Sequence, residues 1–216
     1  MRKISTIIAT ILTLALPCTT LAAGVMHNAS ETPHPSARTV REHARNTDNR
    51  ARHPSIIRSV ALDGTYANPE FGVQIAYPSL WQQNDLLQRT PPLTLVVMFL
   101  SPMGNDGGLR ENVNLVTEDL PGDMTLDDYT GLGLKNEQDL FPGFSLLAEG
   151  AVSVAGLNRG HMIRFSAPLK DRTMTFEQIW TVVGRRAYVW TFADDAQTFA
   201  QNLATFERMM GTLIMR

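Results

Sequence analysis

The sequence predicts an α+β domain, a central mainly antiparallel β-sheet flanked by helices, beginning at Leu62 and running to Arg216. Three observations carry that prediction. Short β-rich runs follow one another without a helix after each, which excludes a doubly wound α/β fold. Two of the runs, Thr173 to Val183 and Ala187 to Phe192, are separated only by Gly184-Arg185-Arg186, a connection short enough to force antiparallel hairpin pairing. The chain closes on a segment with one apolar stripe, and such a stripe needs a sheet to cover.

Taken in chain order, Phe71-Gly-Val-Gln-Ile-Ala-Tyr77 alternates with period two and stops at Pro78, as a half-buried strand does. Leu93 to Leu100 is a continuous apolar run, which suits a more central strand. Asn112 to Glu118 alternates again through Val113 and Leu115. Thr125 is placed to cap a first helix, with Asp128 three residues on to supply a second acceptor ahead of Leu126, Tyr129 and Leu132. Gly131 and Gly133 weaken that helix, and Phe141-Pro142-Gly143 ends it. Strands follow at Ser145 to Val154 and Gly160 to Ala167, then the hairpin already named. Asp194 precedes a final helix whose Phe199, Leu203, Phe206, Met210 and Leu213 recur at alternating spacings of four and three.

The N-terminal third reads differently. Arg2 and Lys3 precede an apolar run from Ile4 to Leu16, and the small-residue stretch Thr20-Leu21-Ala22-Ala23-Gly24 follows, the order of a cleaved secretory signal peptide at residues 1–23. The run is shorter than the roughly 20 residues of a spanning helix and is broken by Pro17. Cleavage after Ala22 or Ala23 removes Cys18, the only cysteine in the chain. Pro17 stands where a lipoprotein box has a small residue, so acylation is not expected, and without a thiol there are no disulfides, no thiolate catalysis and no Cys-based metal site. The expected location is the periplasm or the exterior.

Residues 24–61 are rich in Asn, Ser, Thr, Pro, His and Arg and cannot bury enough surface to offset their ordering entropy. They read as a flexible basic linker. Residues 1–62 carry 8 basic and 3 acidic side chains, whereas residues 63–216 carry 11 basic and 18 acidic, so the charge changes sign at the domain boundary. Arg38, Arg41, Arg45, Arg50, Arg52 and Arg58 could rest on anionic lipid or fold on a partner, but a solvated linker is the simpler expectation. His27, His34, His43 and His53 lie there too, at spacings that match no compact metal-ligand pattern. The anionic domain speaks against nucleic acid as a partner.

Inside the domain the residues that could carry chemistry each have a plainer explanation. His161 is its only histidine, lacks a Gly-x-Ser-x-Gly elbow, and alternates with Ile163 and Phe165 on one strand face, as a structural histidine does. Glu118, Asp119, Asp123, Asp127 and Asp128 could supply a carboxylate pair, but they straddle a loop and a helix start, where the helix dipole alone favours acids. Calcium is not expected there, because the oxygen spacing of an EF-hand loop is missing. Gly104-Asn-Asp-Gly-Gly108 is glycine-rich but leads to a strand rather than to a phosphate-binding helix, so it reads as a turn. Trp81, Trp180 and Trp190 fit core positions better than a binding platform. No catalytic residue, cofactor or metal site is expected.

Several of these segments, in this order, resemble one family. Phe71-Gly-Val-Gln-Ile-Ala-Tyr-Pro-Ser-Leu-Trp81 is similar to the opening strand and Tyr-Pro-x-x-Trp of PsbP-like proteins, and Asn112-Val-Asn-Leu-Val116, Thr125-Leu-x-x-Tyr129, Phe176-Glu-Gln178 and Ala187-Tyr-Val-Trp-Thr191 follow in the family's order. The resemblance covers nearly the whole domain and implies an α/β/α sandwich around an antiparallel sheet. It departs at Ala155-Gly156-Leu157, where Asn-Gly would be expected. Members of the family act without catalysis, as extrinsic photosystem subunits, a Ran-binding import factor, effector chaperones and DcrB-type envelope proteins, and an exported chain is most similar to the last. The resemblance therefore implies a non-enzymatic protein- or peptide-binding envelope module whose partner is another envelope protein or an apolar peptide segment. The alternative is a hydrolase built from carboxylates alone. If 24–61 is a linker, its deletion leaves a chain with an unchanged circular dichroism spectrum and one cooperative thermal transition. Loss of that transition would make the segment an integral part of the fold.

Overall fold

A computed structural model of the chain describes residues 60–102, 110–156 and 158–216. The signal peptide at 1–23, nearly all of the linker at 24–61 and the glycine-rich turn from Gly104 to Gly108 lie outside the described residues. The elements run β1 Gly64–Asn68, β2 Val73–Tyr77, β3 Gln82–Thr90, β4 Leu93–Leu100, β5 Asn112–Asp119, α1 Leu126–Leu140, β6 Ser145–Val154, β7 Asn158–Leu169, β8 Arg172–Val183, β9 Arg186–Asp195, α2 Phe199–Gly211 and β10 Ile214–Met215.

Seven strands form one sheet in the order β3-β4-β5-β9-β8-β7-β6, and every neighbouring pair is antiparallel. A small sheet, β1-β2-β10, lies on one face with α2, and α1 lies on the other. This is the antiparallel sheet flanked by helices that the sequence predicts. The period-two alternation decides which side chain goes where. On β5 and β9, Val113, Leu115, Trp190 and Phe192 turn toward α2, and with Ile75, Phe99, Phe206 and Met209 they build the larger core. From β7, β8 and β9, Ile163, Phe165, Phe176, Trp180 and Ala193 turn the opposite way, to Tyr129 and Phe141 beneath α1.

The local signals hold where they are chemically explicit. The Thr125 side chain accepts the Asp128 amide at 3.1 Å and donates to the Asp128 carboxylate at 2.7 Å, and α1 ends at Phe141. Tyr77-Pro-x-x-Trp81 forms a turn in which the Trp81 amide donates to the Pro78 carbonyl at 2.8 Å, which drops the indole into the core. Gly184 takes φ +60 at the β8–β9 hairpin. Two details differ from expectation. Asp194 still belongs to β9 and holds α2 sideways, accepting from the Asn202 side chain at 2.9 Å, while Thr198 stands before the first helical turn. On α2 it is Phe199, Phe206 and Met209 that are fully buried, with Leu203 and Met210 only partly so. Each of the three contributes about 1.5–3 kcal/mol through burial.

The turn that departs from the family pattern has a backbone cost. Ala155 adopts φ +51 and Gly156 φ +75, the left-handed region that Asn and Gly tolerate and alanine does not favour. Ala155→Asn is therefore expected to raise stability by about 0.5–1 kcal/mol in urea titrations, and an unchanged midpoint would show that the turn carries no strain.

Candidate functional site

Helix α1 has one weakly apolar stripe, and it packs chiefly over β7 and β8. Toward β9 and β5 it leaves a partly enclosed cavity of about 70 Å³ between itself and the sheet. Tyr129, Gly133, Asn136 and Glu137 form its roof, and β5, β8 and β9 form its floor. Tyr129, Gly133 and Glu137 recur every four residues, so they share the face that α1 turns to the sheet.

The floor is not the apolar surface that a sheet usually offers a helix. Strand register aligns Asn114 with Thr191 and Thr191 with Gln178, so a polar row crosses β5, β9 and β8. It lies between an apolar row through Val116, Val189 and Trp180 and a second row through Asn112, Ala193 and Phe176. Glu118 adds a carboxyl at one end, where its Oε2 accepts the Tyr129 hydroxyl at 3.0 Å. The Trp180 indole N–H donates to the Thr130 hydroxyl at 2.9 Å, and the Asn114 amide N–H donates to the Asn112 side chain at 3.3 Å.

Three acceptors in this cavity have no hydrogen-bond partner among the described residues: Asn114 Oδ1, Gln178 Oε1 and Glu137 Oε2. Burial pushes the Glu137 carboxyl up to about 7, partly offset by the Gln178 side chain, because a charge there is cut off from water. Burial likewise raises Glu118, against the lowering effect of the Tyr129 hydrogen bond. The Tyr129 hydroxyl is held well above its ordinary range by burial and by Glu118, so it remains a donor at neutral pH.

The acids singled out in the sequence are thus separated. Glu118 alone reaches the cavity. Asp119 pairs with Arg186 at 2.8 Å, Asp128 completes the helix cap, Asp127 is exposed opposite Arg159, and Asp123 lies on a shallow surface beside Pro121 and Gly122. The carboxyl that joins Glu118 is Glu137, which the reading of the sequence missed. Its signal was a charged residue on the buried stripe of α1, four positions beyond Gly133.

His161 is half-buried, sits across the β7–β8 pair from Trp180 and stacks on it at 5.7 Å, with Glu149 at 3.8 Å. It does not line the cavity. Trp81, Trp180 and Trp190 are all buried core residues. Among the described residues, no three His, Cys, Asp or Glu side chains cluster as a metal site would require, and no helix is long and apolar enough to cross a membrane. The four linker histidines lie outside the described residues.

Linkage gives Glu137 a measurable sign. Its folded value lies above the ordinary 4.5, so the stability it leaves intact at low pH is lost as pH rises from about 4.5 through about 7. Glu137→Gln removes that loss. It is expected to stabilise the fold by about 2–3 kcal/mol at pH 8 and by little at pH 4 in urea titrations. An equal effect at both pH values would show that the carboxyl is not desolvated.

No family model matches the sequence, and no curated protein matches it. Solved structures do. Cyanobacterial PsbP from Synechocystis is similar at a TM-score of 0.55 and 15% identity, over 71% of this chain and 92% of that one. A Pseudomonas aeruginosa protein of unknown function is similar at 0.52 and 16%, over 71% and 96%. LpqN of Mycobacterium tuberculosis, described as involved in cell envelope biogenesis, is similar at 0.51 and 13%, over 66% and 82%. At such low identity these matches speak for the fold alone, and with the antiparallel sheet, its two flanking helices and the order of the strand motifs they make this a PsbP-like fold.

Proposed function

We propose that this chain is a non-enzymatic envelope protein of the PsbP/DcrB type, exported by its N-terminal leader, that binds a partner through the cavity beneath α1. The observation that carries the reading is the cavity itself. It is lined by amides, a phenol and aromatic rings around unpartnered acceptors, the composition of a recognition site. The leader motif and the likeness to a structure described as involved in envelope biogenesis support the location. The partner favoured is another envelope protein or a peptide segment.

One observation favours the alternative of a carboxylate hydrolase, since Glu118 and Glu137 line the same cavity. Two-carboxylate catalysis divides the labour between an acid that keeps its proton and a base that has lost it, so the two environments must push in opposite directions. Here burial pushes both carboxyls upward, and the Tyr129 hydroxyl already occupies Glu118. The volume, about 70 Å³, is also small for a glycosidic or peptide linkage with both flanking units.

The two readings separate in one experiment. A photo-crosslinking residue at Asn136, on the cavity rim, is expected to trap a discrete adduct in cells, and the same residue at exposed Lys135 is not. Hydrolysis of chromogenic glycosides or esters by the native chain, abolished by both Glu118→Gln and Glu137→Gln, would replace this reading with the catalytic one.

A further inference from the structure

A cavity records the chemistry of its occupant in the groups that lack partners. The three unpartnered atoms here are all acceptors, and one is a carboxyl oxygen on a side chain almost wholly buried. An amide can turn over and exchange its oxygen for its nitrogen, so Asn114 and Gln178 offer either polarity. A carboxylate cannot, and Glu137 therefore carries the argument. A buried, unpaired carboxyl costs stability unless it gains a donor or a counter-charge. The Gln178 side chain gives partial relief by hydrogen bonding, but Oε2 stays unpartnered and no counter-charge is supplied, because no Lys, Arg or His among the described residues lines the cavity.

Those facts narrow the ligand. An anion is excluded by Glu118, Glu137 and the absence of any basic side chain among the described residues of the walls. A divalent cation wants roughly six oxygen ligands in a regular shell, whereas Phe141, Phe176, Trp180, Val189 and Val116 make much of this wall apolar. A neutral alcohol would leave the Glu137 charge uncompensated. An ammonium group brings three donors and one positive charge, and aromatic faces attract it. The size agrees. A cavity of ~150 Å³ accommodates a benzene ring, so about 70 Å³ suits a head group of a few heavy atoms with its remainder directed to the open side.

We infer that the cavity beneath α1 is a site for a primary ammonium group on a short alkyl arm, held by Glu137 with the polar row of Asn114, Thr191 and Gln178 as its floor. The inference rests on the reading of this cavity as a binding site and names what it recognises. A free alkylamine and the side chain of a lysine on a partner polypeptide present the same group. The groups that face Glu137 are Glu118 from β5 and Tyr129 from its own helix, with no basic side chain from β8 or β9. Binding therefore weakens as pH falls and Glu137 takes up a proton.

The test titrates the full mature chain at pH 7.5 with n-butylammonium chloride, n-butanol, sodium butyrate and tetramethylammonium chloride at matched ionic strength, following the backbone amide resonances of β5 and α1. Butylammonium is expected to saturate with a dissociation constant of about 1 mM, and the other three are expected to bind at least about tenfold more weakly. Glu137→Gln, which keeps the shape, is expected to weaken butylammonium by about tenfold while the spectrum stays folded. Nα-acetyl-lysinamide distinguishes the sources: binding as tight as butylammonium assigns the site to lysine on a polypeptide, and weaker binding to a free amine. Butanol binding as tightly as butylammonium, or an unchanged affinity in Glu137→Gln, would overturn the ammonium inference and leave the binding reading standing. If none of the compounds shifts a resonance and no crosslink forms at Asn136, both fall.

Discussion

The structure depends on a sheet that carries a hydrophobic interior on each of its two faces. Strands β8 and β9 send alternate side chains to opposite sides, so one strand supplies two separate interiors, and neither can form unless something covers it. The two covers are unequal. On one face, α2 and the three-stranded sheet close over Val113, Trp190 and Phe192. On the other, α1 carries two glycines and a thin apolar stripe, and it closes only the β7–β8 side. The cavity is the space that this inequality leaves between a short cover and a wide floor.

Much of this was legible in the sequence, for identifiable reasons. The ends of β4 follow from an uninterrupted apolar run and the β8–β9 hairpin from a short connection that begins with Gly184, which are local features. The start of α1 follows from Thr125 and Asp128, whose side chains meet the backbone within one turn. Strand β3 was not legible. Gln82 to Thr90 has no alternation because it is an edge strand exposed on most positions, and a bulge between Asp85 and Gln88 breaks what periodicity it has. β1 is short and pairs with its neighbour β2, whereas β10 has two residues and pairs with β2 across most of the length of the domain.

The site was less legible than the fold. Glu118 stood out as an acid near a helix start, but the reason it matters is Tyr129, whose hydroxyl reaches it from the facing helix. Asn114, Thr191 and Gln178 stand in three separate strand motifs with no chemical signal of their own, and they become one row only through the lateral register of β5, β9 and β8. Glu137 lies on a stripe that also holds Tyr129 and Gly133, and a charge at such a position is a conflict between local pattern and global fold. Conflicts of that kind collect where a protein recognises something. Another buried carboxylate is paired: Glu177 receives two hydrogen bonds from Arg164, at 2.8 and 2.6 Å, on the α2 side of the sheet. Glu137 has no such counter-charge.

The three tryptophans divide between the two interiors. Trp81 and Trp190 belong to the one sealed by α2, whereas Trp180 lies in the other, forms part of the cavity wall and hydrogen-bonds to Thr130 on α1. With Trp81 and Trp190 replaced by phenylalanine, the ultraviolet emission of the remaining indole would be governed by the polarity of a single compartment. The chain thus contains its own optical probe, positioned to change colour when the contents of that compartment change and to stay constant when the opposite half of the molecule is perturbed.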